Sequence, residues 1–282
     1  MVLQDLIEAK EEEHWRDTDR EAKEKWLKNY ERIKELLSSE KIETEEVREF
    51  SVNVMPIVNG ISQYLPSEKG VILFDVSCFP KIILLSILRW IDYKKFTILY
   101  SRVKAHKESE EEFAVGVKKI LPIKGFEGRI KHREDLLVLI LGFEGYRAMS
   151  LFKYYDPYKA IVCIGDPGNI PKREFYRSTA REINENLLNN QIVTDVEVPS
   201  LDHIGFMKTL EKYLNDFLKE ERGKLDIDYN IFISPLGTKP QTLGLFLYWL
   251  KNKDIQVVYS IPSKRRNSSE GIGETFYYSL EI

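Results

Sequence analysis

Histidine and cysteine are scarce in this sequence: 282 residues include four His and two Cys. His14, His106, His132 and His203 are scattered, as are Cys78 and Cys163. That spacing excludes zinc fingers, CxxC redox sites and a disulfide framework. No metal and no cofactor is therefore expected. No carboxylate pair stands out as a glycosidase or two-metal constellation. Also missing are a signal-peptide pattern and any apolar run of about 18 residues. The expectation is a cytoplasmic protein that makes no membrane contact. What is present is 43% hydrophobic and 31% charged residues, the composition of a globular chain rather than a disordered one.

The formal charge of -3 is unevenly spread. Residues 1–50 hold 10 Lys/Arg against 16 Asp/Glu, so the remainder carries a small positive excess. A mildly basic body suits a small phosphorylated ligand. Wrapping long nucleic acid takes several clustered phosphate contacts, and no such cluster is seen.

Residues 1–49 read as an acidic helical arm, with Trp15 and Trp26 as its anchors. From residue 50 short apolar strands alternate with amphipathic helices. Strands are predicted at 50–56, 71–76, 96–101, 136–142, 160–165, 193–198, 229–234, 255–260 and 275–281. Helices are predicted at 58–64, 80–91, 108–119, 145–154, 172–190, 203–221 and 240–251. Continuous apolar runs such as VILFDV, LLVLILGF and AIVCIG suit strands covered on both faces. The expected fold is α/β: a Rossmann-like, mostly parallel sheet covered by helices. Residues 50–134 form a first α/β unit and 135–282 a second, sharing one extended body. The polar stretch 101–135 between them reads as a boundary or flap.

The sequence also echoes itself. Residues 72–101 and 231–260 align without a gap and share seven identities, among them Trp90 with Trp249 and the Tyr-Ser pairs 100–101 and 259–260. Each segment reads as strand, loop, helix, strand. Each delivers a polar loop to a strand's carboxyl end, where open α/β sheets bind ligands.

Four stretches could carry chemistry. In SPLGTKPQTLG, Ser234 ends a strand, Gly237 permits a tight turn, Thr238 caps the next helix and Pro240 suits its first turn. Backbone amides, two hydroxyls and the Lys239 ammonium then converge as an anion site for phosphate. The plainer reading is a well-capped turn, and the Walker spacing is absent. In LGFEGYRAMS, Gly142 and Gly145 bracket a turn whose Glu144 could accept from a ribose or base, with Arg147 reaching back. The third stretch opens with Asp166 after a strand, and Arg173, Arg177 and Arg181 then share a helix face. They either contact phosphate or pair with acids. The last holds Lys264, Arg265 and Arg266 in a hairpin-like connection able to close over a ligand, followed by Tyr277 and Tyr278 on opposite faces of a strand. Asp75 and Ser77 form the first unit's counterpart of the 234–239 loop. Cys163 reads as core, His132 as exposed and His203 as a capping or packing residue.

From about Asp135 onward, the order of elements and the Gly142-Phe-Glu-Gly145 and Gly237-Thr-Lys239-Pro loops resemble the CRISPR-associated Rossmann-fold (CARF) sensor domains of antiviral defence. The resemblance implies a cyclic or linear oligonucleotide second messenger bound at strand carboxyl ends, and a homodimer or a partner defence protein. Some relatives cleave the ring without metal, which would make Lys239 the stabiliser of transition-state charge. A nucleotide glycosidic-bond enzyme would instead rely on Glu144 or Asp75. This chain departs from the family in lacking a hydroxyl-rich first loop and the usual effector motifs. A protein-interaction module docking through residues 1–49 is the third reading.

Overall fold

The computed structural model describes residues 72–91, 95–106, 114–170, 173–265 and 269–281. These fall in one compact unit, residues 71–282. The arm at 1–49, the strand at 50–56 and the helix at 58–64 lie outside the described residues.

In chain order the elements are β1 (Ile72–Asp75), α1 (Lys81–Trp90), β2 (Lys95–His106), β3 (Ala114–Pro122), β4 (Glu134–Ile140), α2 (Gly145–Tyr155), β5 (Lys159–Asp166), α3 (Arg173–Ile183), α4 (Glu185–Leu188), β6 (Val193–Pro199), α5 (His203–Leu225), β7 (Tyr229–Pro235), α6 (Lys239–Lys251), β8 (Gln256–Arg265) and β9 (Ser269–Glu281). The strands form a six-stranded sheet, ordered β3-β8-β7-β4-β5-β6, and a three-stranded sheet, ordered β1-β2-β9. The larger sheet is parallel except for β3, which runs antiparallel to β8. A mixed α/β arrangement with a multi-strand, mostly parallel sheet is thus present.

The centre of the larger sheet explains the apolar runs. Residues 136–141 are all buried. Alternation sends Leu137, Leu139 and Leu141 to the face packed by Ala148 and Leu151 of α2, with Val162 and Phe232 from the neighbouring strands. Leu136, Val138 and Ile140 point to the opposite face, which is also closed. Each fully buried aliphatic side chain contributes about 1.5–3 kcal/mol. Cys163 lies in this core, and burial pushes its thiol up to about 12.

Four sequence expectations need correction. The helix predicted over 108–119 is instead, from Ala114 on, the strand β3, paired with β8. Gly116 sits at φ +67°, a left-handed conformation that a helix interior cannot hold. The stretch 101–135 is accordingly no polar flap, since β2 and β3 occupy much of it. The helix predicted over 172–190 breaks at buried Asn184, whose amide donates to the Ala180 carbonyl and, at 3.3 Å, to that of Gly142. The hairpin-like reading of 264–266 also fails: β8 and β9 pair with β3 and β2, not with each other. Tyr278 is buried and Tyr277 exposed, as alternation requires.

The internal echo does become two β-α-β units. In both, the strands flanking the helix pair in parallel, and Leu73↔Thr97 occupies the place that Phe232↔Gln256 holds in the other.

At the start of α5, Asp202 accepts from the Gly205 amide as helix cap. The neighbouring His203 ring stands edge-on to Tyr278 at 5.1 Å, and its Nε2 is buried with no hydrogen-bond partner among the described residues. Burial pushes the His203 pKa down; the Asp202 charge and a backbone bond to Ser279 act the other way without reversing it. The unfolded chain then takes up this proton more readily than the folded one. The stability contributed is complete above about pH 6.5 and is lost as pH falls through the lower folded value. Calorimetry from pH 7.5 to 5 should show a falling Tm in the parent protein and a smaller fall in His203→Gln.

Candidate functional site

The polar loops after β1, β4 and β7 converge at the carboxyl ends of their strands. Between them lies a cavity of about 420 Å³. That is within the roughly 300–1,000 Å³ of ordinary small-ligand sites. Ser77, Gly142, Glu144, Arg147, Gly237, Thr238 and Lys239, all singled out in the sequence, line it.

The α6 end is built by local chemistry. Thr238 Oγ1 accepts from the Gln241 amide, and the Gln241 side chain accepts from the Thr238 amide at 2.8 Å, a reciprocal capping box with Pro240 in the first turn. Thr238 also donates to the Ser200 carbonyl, which ties the turn to the end of β6. The capping box uses two of the amides that the sequence reading had offered to an anion. The turn's charged donor is the Lys239 ammonium. It donates to the Ser77 carbonyl and lies 5.6 Å from the centre of the Tyr100 ring. Lys81, at the start of α1, reaches the other way and donates to the Leu236 carbonyl at 3.2 Å. The 142 and 236 loops run backbone against backbone: a Cβ on Gly142 would sit 2.5 Å from the Leu236 oxygen.

Opposite lies a buried ion pair. Arg147, 1% exposed, donates to the Glu144 carboxylate, the Ser260 carbonyl and the Ser260 hydroxyl, and its guanidinium stacks 4.8 Å from the Tyr259 ring. Burial opposes its charge, yet Tyr259 and Glu144 together hold its pKa above the ordinary arginine value. Glu144 is thereby fixed as an acceptor facing the cavity. Phe143 and Tyr176, stacked at 6.1 Å and 12°, give an aromatic wall. Arg102 adds a cation, its Nε 3.3 Å from Glu274.

Several predicted residues lie outside the cavity. Asp75 is exposed and accepts from the Ser77 amide and hydroxyl, so it orders its own loop. Gly145 opens α2 against the Ile183 backbone, a packing position. Ser234 is buried inside the sheet. Asp166 takes two bonds from Arg173 and one from the Gly168 amide; burial works against its charge, but these donors hold its carboxyl below the usual range. Arg177 and Arg181 likewise pair with Glu197 and Asp195 of β6, so this stripe neutralises acids. The backbone of Lys264 and Arg265 closes β8, and their side chains, with Arg266, lie outside the described residues.

Sequence reasoning missed Lys81, Tyr100, Arg102, Tyr176 and Tyr259. The echo was the available signal for Tyr100 and Tyr259, which hold matched positions and both reach the cavity. Among the described residues no group of three or more His, Cys, Asp or Glu is placed to hold a metal ion. Among them, too, no helix is long and apolar enough to cross a membrane.

No protein-family model matches the sequence, and no curated protein matches it. Among solved structures, one with local likeness is Enterococcus italicus Csm6 bound to cyclic hexa-2'-fluoro-hexa-dAMP, at 17% identity and a TM-score of 0.33. The match covers 48% of this chain and 35% of that one, so the chain spans about a third of that protein's length. A likeness this slight transfers neither function nor ligand.

Proposed function

We propose that the cavity binds a small phosphorylated nucleotide, a cyclic or linear oligonucleotide second messenger, and that the protein acts as a sensor or component of a defence system. One observation carries the reading: Lys81, Lys239 and Arg102 meet aromatic rings and a fixed carboxylate in one nucleotide-sized cavity. Phosphate seeks the cations. Bases stack on aromatic faces, here Phe143 and Tyr176, and Glu144 suits a base amino group or a ribose hydroxyl. The defence role follows from the resemblance of the 142–145 and 237–240 loops to CARF domains.

The test is a thermal-shift panel of cyclic and linear oligonucleotides, with mass spectrometry of whatever co-purifies. At least one phosphorylated nucleotide should raise Tm. Lys239→Ala should weaken its binding about ten- to hundred-fold, the usual worth of a charged hydrogen bond. If nothing phosphorylated co-purifies and no panel member shifts Tm, the reading is lost. Product formed without added metal would turn a sensor into an enzyme.

A further inference from the structure

The two lysines of the cavity make one contact twice. Lys239 donates to the carbonyl of Ser77, and Lys81 donates to the carbonyl of Leu236. In the gapless alignment of the two β-α-β units, Ser77 and Leu236 are the same position. Each unit therefore sends a lysine from the start of its helix to the same carbonyl of the other.

The strands repeat this exchange. β3 follows β2 in the chain but pairs with β8, while β9 follows β8 but pairs with β2. Both exchanged strands run antiparallel to their hosts, and both ladders slip register close beyond the matched serines, Ser101 and Ser260. Each carries a left-handed glycine, Gly116 at φ +67° and Gly271 at φ +65°. Those glycines approach Ser263 and Lys104, again matched positions of the two units. Behind the cavity the matched Trp90 and Trp249 share one guanidinium, with Arg89 4.5 Å and 5.5 Å from their rings.

We infer that the cavity lies on an internal two-fold axis formed by one chain, and that one chain binds one ligand carrying two phosphate groups, one for Lys81 and one for Lys239. The ligand half rests on the proposed function; the single-chain assembly does not. A phosphate held by one lysine has its counterpart at the other, and the matched Tyr100 and Tyr259 both line the cavity, Tyr100 5.6 Å from the Lys239 ammonium and Tyr259 4.8 Å from the Arg147 guanidinium. The two ends are unequal in two respects: Lys81 and Lys239 stand one place apart in the alignment, and the helix caps differ. α6 has its capping box, whereas α1 begins after Pro80 with no side-chain cap.

Two measurements decide the two halves separately. Ser101 and Thr275 face each other across the β2–β9 ladder with their hydroxyls 2.8 Å apart. Their replacement by Ser101→Cys and Thr275→Cys, in a Cys78→Ser background, should give an intrachain disulfide and a cross-linked monomer on a non-reducing gel. A covalent dimer would show that β9 is exchanged between chains and would overturn the assembly. Cyclic di-AMP, with two phosphodiesters, is the calorimetric probe. The expected stoichiometry is one per chain, with Lys81→Ala and Lys239→Ala each weakening binding by a similar factor, about ten- to hundred-fold. Half a ligand per chain, or full affinity in Lys81→Ala, overturns the ligand half. Failure of every nucleotide to bind removes the proposed function and the ligand half together, while the disulfide result still decides the assembly.

Discussion

Replacing Arg147 with methionine should lower folding stability by about 3–5 kcal/mol, the range for breaking a buried charge pair by removing one partner. The guanidinium is 1% exposed and binds Glu144 and both oxygens of Ser260. Methionine restores much of the volume but none of the donors. A Ser260 carbonyl and a Glu144 carboxylate are then left in a poorly hydrated site. For a unit of this size each kcal/mol moves Tm by about 2–4 °C, so a drop of roughly 6–20 °C is expected by calorimetry. Glu144→Gln combined with Arg147→Met should recover part of the loss, because the stranded charge is gone. A single-variant drop under about 2 °C would show that the guanidinium is not integral to the fold.

A comparable loss is expected from Trp249→Ala, about 3–5 kcal/mol, the usual cost of removing a large buried ring. Trp249 is 4% exposed and packs on Phe126 at 4.5 Å and Phe246 at 6.3 Å, with the Lys253 ammonium 3.4 Å from its ring centre. Its counterpart Trp90 is half-buried and bonds the Lys124 carbonyl at 3.3 Å. Trp90→Ala should therefore cost clearly less, although the two residues match in sequence. Trp249→Phe should be milder still than Trp249→Ala, since the buried indole N–H has no partner among the described residues. Urea melts of the three variants give the ranking; equal losses at 90 and 249 would contradict it.

Legibility in the sequence followed locality. β4, β5 and β7 announce themselves because burial on both faces demands unbroken apolar runs. The capping box at Thr238 and the glycine turn at 142 are written in neighbouring residues as well. β3 was misread as helix because the three-residue spacing of Val117 and Ile120 suits a helix, and the register slip between Val117 and Lys119 that breaks strand alternation there shows only in the pairing with β8. The fate of the arginine stripe was equally non-local: Glu197 and Asp195, which neutralise it, belong to β6 and meet it only through the sheet order. Lys81 escaped notice because nothing near it in sequence indicates that its carbonyl partner belongs to residue 236. The echo held that information, but only once the exchanged strands are seen does it become a contact.

The exchange of strands also has a temporal side. β2 is complete at residue 106, yet its antiparallel neighbour begins at residue 269. At about 5–20 residues per second, a ribosome leaves that edge unpaired for roughly 8–35 s. Through that interval β2 offers unsatisfied peptide groups to any passing strand, including its own copy on an adjacent nascent chain. Polysome spacing and chaperone supply should therefore govern how much of this protein reaches its native form, and a stop introduced before residue 269 should yield a product prone to aggregation.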